Sequence, residues 1–206
     1  MRITDLSQTK RGRYAVSVEG QYLFSLHEEV FYTARLTVGM DLSVEELEAL
    51  RRESDYKTAK ERALRLLSAR SYTAHRLKEK LSRYADEEAS QAAVDRMEEL
   101  GLVNDGEYAF CCARDLYNLK HYSPRRIEQE LQRRGISQEI CREAAAQFDE
   151  EETQSQLEDL VRRKYLRYLG EEKGWNKTVG ALSRLGYSYD AIKSAIRRVM
   201  EEEEDE

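Results

Sequence analysis

The sequence predicts an all-α protein of three tandem three-helix repeats preceded by a small β-hairpin, and three observations lead there. The stretches Arg70-Ser-Tyr-Thr-Ala-His-Arg-Leu-Lys-Glu-Lys-Leu81 and Lys120-His-Tyr-Ser-Pro-Arg-Arg-Ile-Glu-Gln-Glu-Leu131 share one build at a constant offset of 50 residues: Tyr72 matches Tyr122, Thr73 Ser123, Arg76 Arg126, Leu77 Ile127, and Leu81 Leu131. The same offset runs backwards, where Ala59, Ala63, Leu66 and Leu67 fall on Ala109, Ala113, Leu116 and Tyr117, the i, i+4, i+7, i+8 stripe of a helix. A fainter third copy follows, because Leu131-Gln-Arg-Arg-Gly-Ile-Ser137 returns 51 residues later as Leu182-Ser-Arg-Leu-Gly-Tyr-Ser188. Self-similarity with a period near 50 residues is the signature of stacked helical units.

From the N-terminus, Tyr14, Val16 and Val18 alternate on one face, Glu19-Gly20 makes a two-residue turn, and Tyr22, Phe24 and Leu26 resume the alternation of a hairpin. Ile3 to Ser7 is a candidate third strand. An isolated hairpin is marginal in water, so this one is expected to dock on the helices rather than add to a partner's sheet edge. Glu28 to Thr37 reads as a short helix, and Ser43-Val-Glu-Glu46 is a capping box that opens a longer one, with a break near Ser54. Residues 1–56 thus form an N-terminal element of hairpin and helices.

The first repeat covers 57–105, with later helices near 73–84 and 88–100, and closes on Leu100-Gly-Leu-Val-Asn-Asp105. Thr73 and Ser123 are placed to cap the helices that follow them, with Pro124 at the first helical position. Gly135 and Gly186 can end helices in the left-handed conformation, and Ser137 and Ser188 can cap the next. The second repeat covers 106–152, and its closing acids Asp149 to Glu152 mark a solvated junction. The third, 153–200, begins at the capping box Thr153-Gln-Ser-Gln156, and 201–206 form an acidic tail.

Composition supports small wet units. Charged residues make up 36% of the 206 where about 25% is usual, hydrophobic ones 40%, and a single proline argues against a loop-rich or disordered chain. The net charge of −6 comes from the six terminal acids, Glu201 to Glu206, without which basic and acidic residues are equal in number. That tail either frays into solvent or competes with a polyanion for a basic surface. Within the body, charge follows the helices: Lys57–Arg83 carries a net +7, Tyr84–Glu107 −7, Arg114–Arg134 +3, Ser137–Asp159 −7, Arg162–Arg184 +5 and Asp190–Glu206 −4. In a regular stack this gives a basic and an acidic stripe, or else acidic third helices neutralise their basic neighbours internally.

Cys111, Cys112 and Cys141 lack ligand spacing and read as buried apolar residues in a reducing compartment. No apolar run suits a signal peptide or a membrane span, so the chain is expected to be cytoplasmic. His27, His75 and His121 lie far apart, there is no GxxxxGK[ST], GxGxxG or GxSxG, and no enzyme, metal or cofactor is expected. Tyr72, Tyr84, Tyr122, Tyr165, Tyr168 and Tyr187 lie within three positions of Lys or Arg, an arrangement that either stacks bases beside phosphate contacts or simply packs tyrosines with wet hydroxyls.

The ordered set of an N-terminal hairpin, Ala63-Leu-Arg-Leu-Leu-Ser-Ala-Arg-Ser-Tyr-Thr-Ala-His-Arg-Leu-Lys-Glu-Lys-Leu81, Leu100-Gly-Leu-Val-Asn-Asp105, Tyr122-Ser-Pro-Arg-Arg-Ile-Glu-Gln-Glu-Leu-Gln-Arg-Arg-Gly-Ile136 and Leu182-Ser-Arg-Leu-Gly-Tyr-Ser188 resembles the RecX family of bacterial regulatory proteins. The likeness runs from about residue 10 to 198, departing at Phe110-Cys-Cys112 and at Lys173-Gly-Trp-Asn176. It implies an elongated, curved array of three units, a monomer that binds RecA and lies in the groove of the RecA filament on DNA, suppressing ATP hydrolysis, strand exchange and coprotease activity. A weak direct contact with DNA belongs to the same picture. The alternative is a DNA- or RNA-binding protein built from helix-turn-helix-like units. For the RecA- or DNA-binding surface, charge and position nominate Arg70, Arg76, Lys80, Lys120, Arg125, Arg126, Arg133, Arg134, Arg162, Arg163 and Lys164.

Overall fold

Strands β1 (Ile3–Gln8), β2 (Tyr14–Val18) and β3 (Gln21–Leu26) form an antiparallel sheet in that order, so the candidate third strand is real. The computed structural model describes residues 1–170 and 173–205. Pairing runs Ile3 to Val18 and Gln8 to Tyr14 on one side of β2 and Tyr14 to Leu26 on the other, with a slip between Val16 and Ser17. Period-2 alternation places Ile3, Val16, Val18 and Leu26 on one buried face, where they meet Val30, Leu36, Leu42 and Leu47. Val30 belongs to α1 (Glu28–Thr33), which is shorter than its predicted span to Thr37 and is followed by Arg35 at φ +48°. Leu47 belongs to α2 (Val44–Leu67), opened by the Ser43 box: Ser43 Oγ accepts the Glu46 N–H at 3.1 Å and Glu46 accepts the Ser43 N–H at 2.7 Å.

Helix α2 has no break at Ser54. That serine is 1% exposed and its hydroxyl accepts the His27 N–H at 2.7 Å, while Arg13 donates to Thr58 Oγ1 at 2.8 Å and to the Ser25 carbonyl. A residue that reads as a helix breaker is instead the acceptor that ties the sheet to the helix.

The second half of α2, α3 (Ala74–Leu81) and α4 (Glu87–Glu99) make the first three-helix repeat, around Ala59, Ala63, Leu77, Leu81, Ala93, Val94 and Met97. In the second, α5 (Asp105–Lys120), α6 (Pro124–Gln132) and α7 (Gln138–Ala145) enclose Ala109, Ala113, Leu116, Tyr117, Ile127, Leu131, Cys141 and Ala144. The paired caps behave alike, with Thr73 Oγ1 accepting the Arg76 N–H at 3.2 Å and Ser123 Oγ the Arg126 N–H at 3.3 Å. Gly135 and Gly186 both take positive φ, +81° and +97°.

The third repeat departs most from its sequence reading. Its first helix starts not at Thr153 but at Glu150, because Asp149 accepts the Glu152 N–H at 2.7 Å, so the acids that read as a junction form a first turn facing the helix dipole. α8 (Glu150–Leu160) passes into a π-helical turn, Val161–Tyr165, and then into α9 (Leu166–Leu169). α10 (Gly174–Arg184) starts without a side-chain cap, and α11 (Tyr189–Asp205) completes a core of Leu157, Leu160, Val161, Leu182, Tyr187, Ile192, Ile196 and Val199. The acidic tail continues α11 through Asp205; Glu206 lies outside the described residues.

The chain divides into two compact units, Met1–Asn104 with the sheet and first repeat, and Asp105–Glu206 with the second and third. All three thiols are free, and Cys111 is exposed rather than buried because it falls on the wet side of α5. Among the described residues no helix is long and apolar enough to cross a membrane.

Candidate functional site

Four of the nominated basic residues, Arg70, Lys80, Lys120 and Arg126, frame the two repeated tyrosines. In the first unit, Tyr72 precedes the Thr73 cap and is half-buried; the Arg70 guanidinium lies 4.7 Å and the Lys80 ammonium 5.8 Å from its ring centroid. In the second unit, Tyr122 holds the same position, with Lys120 at 5.8 Å and Arg126 at 5.6 Å. Each ring is thus framed by cations within the range of cation–π attraction. Arg76 pairs with Glu79 at 2.8 Å, which holds the Glu79 carboxyl below its ordinary range, and Arg125 stands exposed beside Arg126.

The remaining nominated residues divide. Arg134 is partly buried and donates to Tyr108 Oη at 2.6 Å within the second repeat, and Arg133 reaches Glu130 at 3.9 Å. Arg162, on the π-helical turn, pairs with Asp159 at 3.0 Å and with Glu202 of the α11 extension, while Arg198 pairs with Glu158 at 3.0 Å. Here internal neutralisation wins over an open basic stripe. Arg163 and Lys164 are exposed, and Arg163 reaches Asp159 at 3.7 Å.

His121 sits between α5 and α6 at φ +55°, with Nδ1 buried and without a hydrogen-bond partner. Burial first, then Lys164 and Arg163, push its pKa below the ordinary 6.5. The fold therefore prefers the neutral ring. Its contribution is fully present above the unfolded pKa and is lost as pH falls through the lower folded value. Urea midpoints for the second unit are expected to drop from about pH 7 to about pH 5, and His121→Asn, which tolerates the left-handed backbone, should flatten that slope. Equal slopes in the two proteins would remove His121 from this account.

The tyrosines also divide. Tyr187 is 6% exposed, donates to Gln156 at 2.9 Å and is core, its phenol pushed up by burial. Tyr84, 49% exposed, keeps an open face. Sequence reasoning passed over the cations on the N-terminal sheet, Lys10 and Arg11, although the run Lys10-Arg-Gly-Arg13 at a turn tip was a readable signal.

A family profile described as RecX, second three-helix domain, matches residues 104–144, the segment that holds α5, α6 and α7. The regulatory protein RecX of Clostridioides difficile (strain 630) is 30% identical over 202 residues, covering 96% of this chain and 95% of its own length. The chain belongs to the RecX family. A second relative, the regulatory protein RecX of Amycolatopsis mediterranei (strain U-32), is 32% identical over 70% of this chain and 87% of its own. A crystal structure of a regulatory protein RecX superposes with a TM-score of 0.66 at 26% identity, covering 94% of this chain and 98% of that one. The structure of RecX from Lactobacillus salivarius gives 0.63 at 25% identity over 70% of this chain. The RecX relatives are named regulatory proteins, and the tandem three-helix architecture is theirs as well as this chain's.

Proposed function

We propose that this RecX-family protein is a cytoplasmic, monomeric inhibitor of the RecA recombinase that binds RecA and the groove of the RecA filament on DNA, suppressing ATP hydrolysis, strand exchange and coprotease activity. It acts by binding, without catalysis. The observation that carries the reading is the repeated framed tyrosine, Arg70–Tyr72–Lys80 in one repeat and Lys120–Tyr122–Arg126 in the next, on a chain related to RecX proteins over nearly its whole length. A filament offers a repeating surface, and a ligand that repeats its own contact gains affinity by multivalency without a deep pocket. Basic clusters beside acidic helices such as α4 supply charge complementarity that sets register and on-rate.

The test is the steady-state ATPase rate of RecA on single-stranded DNA, titrated with this protein. Inhibition is expected at protein well below RecA. Lys120→Glu with Arg125→Glu, both exposed, should weaken it by about tenfold or more, since each reversal replaces attraction with repulsion. Arg126 is left alone because it packs against Gly186 and its loss would act through the fold. An uninhibited ATPase sinks the proposal.

A further inference from the structure

A cleft of about 870 Å³ opens in the first unit between the β1–β2 turn, β3, α2 and the loop from α3 to α4. Lys10, Arg11, Arg51 and Arg83 line it, and all four are exposed. Local structure puts them there. The turn closes through Thr9 N–H to the Arg13 carbonyl at 2.7 Å, which leaves Lys10 and Arg11 at its tip; α3 ends at Leu81, and the Tyr84 N–H folds back to the Leu81 carbonyl at 2.8 Å, presenting Arg83.

Among the described residues Lys10, Arg11 and Arg83 form no ion pair, and Arg51 reaches Asp55 only at 3.8 Å. Two acids, Asp55 and Asp86, also line the cleft, which leaves its cations in excess. Asp86 is committed to capping α4, accepting the Ala89 N–H at 2.8 Å, and the half-buried Asp55 has its pKa raised by desolvation and by Asp86.

Two aromatic rings share the wall: Tyr22, 65% exposed, and Tyr84. Both are held in place. Arg62 covers one face of Tyr84 at 4.3 Å and donates to its hydroxyl at 2.8 Å, while Tyr22 shares a hydrogen bond with Ser25 Oγ at 3.1 Å. Rings fixed before binding cost less to engage.

We propose that this cleft binds a single strand of nucleic acid, with the four cations meeting phosphates and Tyr22 and Tyr84 receiving unstacked bases. The aromatic faces decide among polyanions. A duplex keeps its bases stacked on one another and offers none to the rings, and an acidic peptide would engage the cations and leave the phenols idle, whereas base–aromatic stacking beside basic side chains is how single strands are held. The site is separate from the framed tyrosines of the repeats and requires no RecA, and it gives direct contact with a single strand a place in the fold that the filament reading leaves unassigned.

Fluorescence anisotropy of a labelled oligothymidylate, titrated with the full chain through a salt series, tests it. Binding is expected to fall steeply with salt, and Lys10→Glu with Arg11→Glu to weaken it by about tenfold or more with a shallower salt slope. Tyr22→Ala is expected to lose about tenfold, with Tyr22→Phe close to the parent protein. These side chains are exposed, and circular dichroism confirms that each variant is folded. Oligothymidylate binding unmoved by the variants overturns the proposal, as does a duplex bound equally tightly with Tyr22→Ala silent. Polyglutamate displacing the probe as well as unlabelled oligothymidylate also overturns it, and assigns the cleft to an acidic protein segment. RecA inhibition by the same variants is read separately, so failure of either proposal leaves the other standing.

Discussion

Replacing Gly186 with alanine is expected to destabilise the second unit by roughly 2–5 kcal/mol, the sum of backbone strain and overpacking. Gly186 stands at φ +97° in the loop after α10, where an added Cβ would fall 2.5 Å from Arg126 Cβ and closer still to Ser123 Oγ. Neither neighbour can give way easily. Ser123 caps α6, and its N–H donates to the Leu185 carbonyl at 2.9 Å, so the start of α6 and the loop after α10 form one hydrogen-bonded joint between the second and third repeats. Gly101→Ala is the control, because Gly101 is also left-handed, at φ +67°, but has no neighbour within 4 Å of the added carbon. It should cost only the conformational penalty, about 1–2 kcal/mol. Urea unfolding followed by circular dichroism separates the two, and equal losses would mean that the joint yields without cost. If the joint opens, Arg126 moves away from Tyr122, so Gly186→Ala should also blunt RecA inhibition.

What the sequence made legible follows from what repeats. The offset of 50 residues identified Leu77 with Ile127, Leu81 with Leu131 and Thr73 with Ser123, and each pair occupies matching core or cap positions because a stacked unit has few ways to bury one helix face. Where local rules compete, reading failed. Ser54 looked like a helix break because serine competes with the backbone for hydrogen bonds, but its acceptor is taken up by His27, a contact 27 residues away in sequence. Thr153-Gln-Ser-Gln156 has the pattern of a capping box, and Asp149 caps earlier. The π-helical turn at Val161–Tyr165 carries no local signature, yet it lies where Arg162 pairs with Glu202, an acid 40 residues on. Charge alone points to the cations that frame Tyr72 and Tyr122, but it does not reveal that Arg134 is tied to Tyr108, and it passes over a cleft assembled from four separate segments.

Leu81→Ala and Leu131→Ala make the same deletion at the same place in two repeats, and each is expected to cost about 2–5 kcal/mol through lost burial and the cavity left behind. Both side chains are fully buried. The two costs should nevertheless differ, because what a truncation costs depends on how far its neighbours collapse. Leu81 shares its core with Met97, an unbranched thioether with three rotatable bonds that can swing into the space. Leu131 lies among Ile127, Ile136 and Tyr117, and Tyr117 is itself stacked on Phe148 at 3.9 Å between ring centroids and cannot follow. Leu131→Ala should therefore lose more than Leu81→Ala, by about 1 kcal/mol within the range known for such cavities. Denaturant midpoints measured on the two variants decide it, with Leu81→Ala/Met97→Leu as the decisive third protein. Removing the flexible neighbour should bring the cost at Leu81 up towards that at Leu131, whereas no change would show that the first repeat closes its cavity by moving backbone. The larger loss also falls in the unit that positions Lys120, Tyr122 and Arg126, so stability and inhibition should decline together for Leu131→Ala.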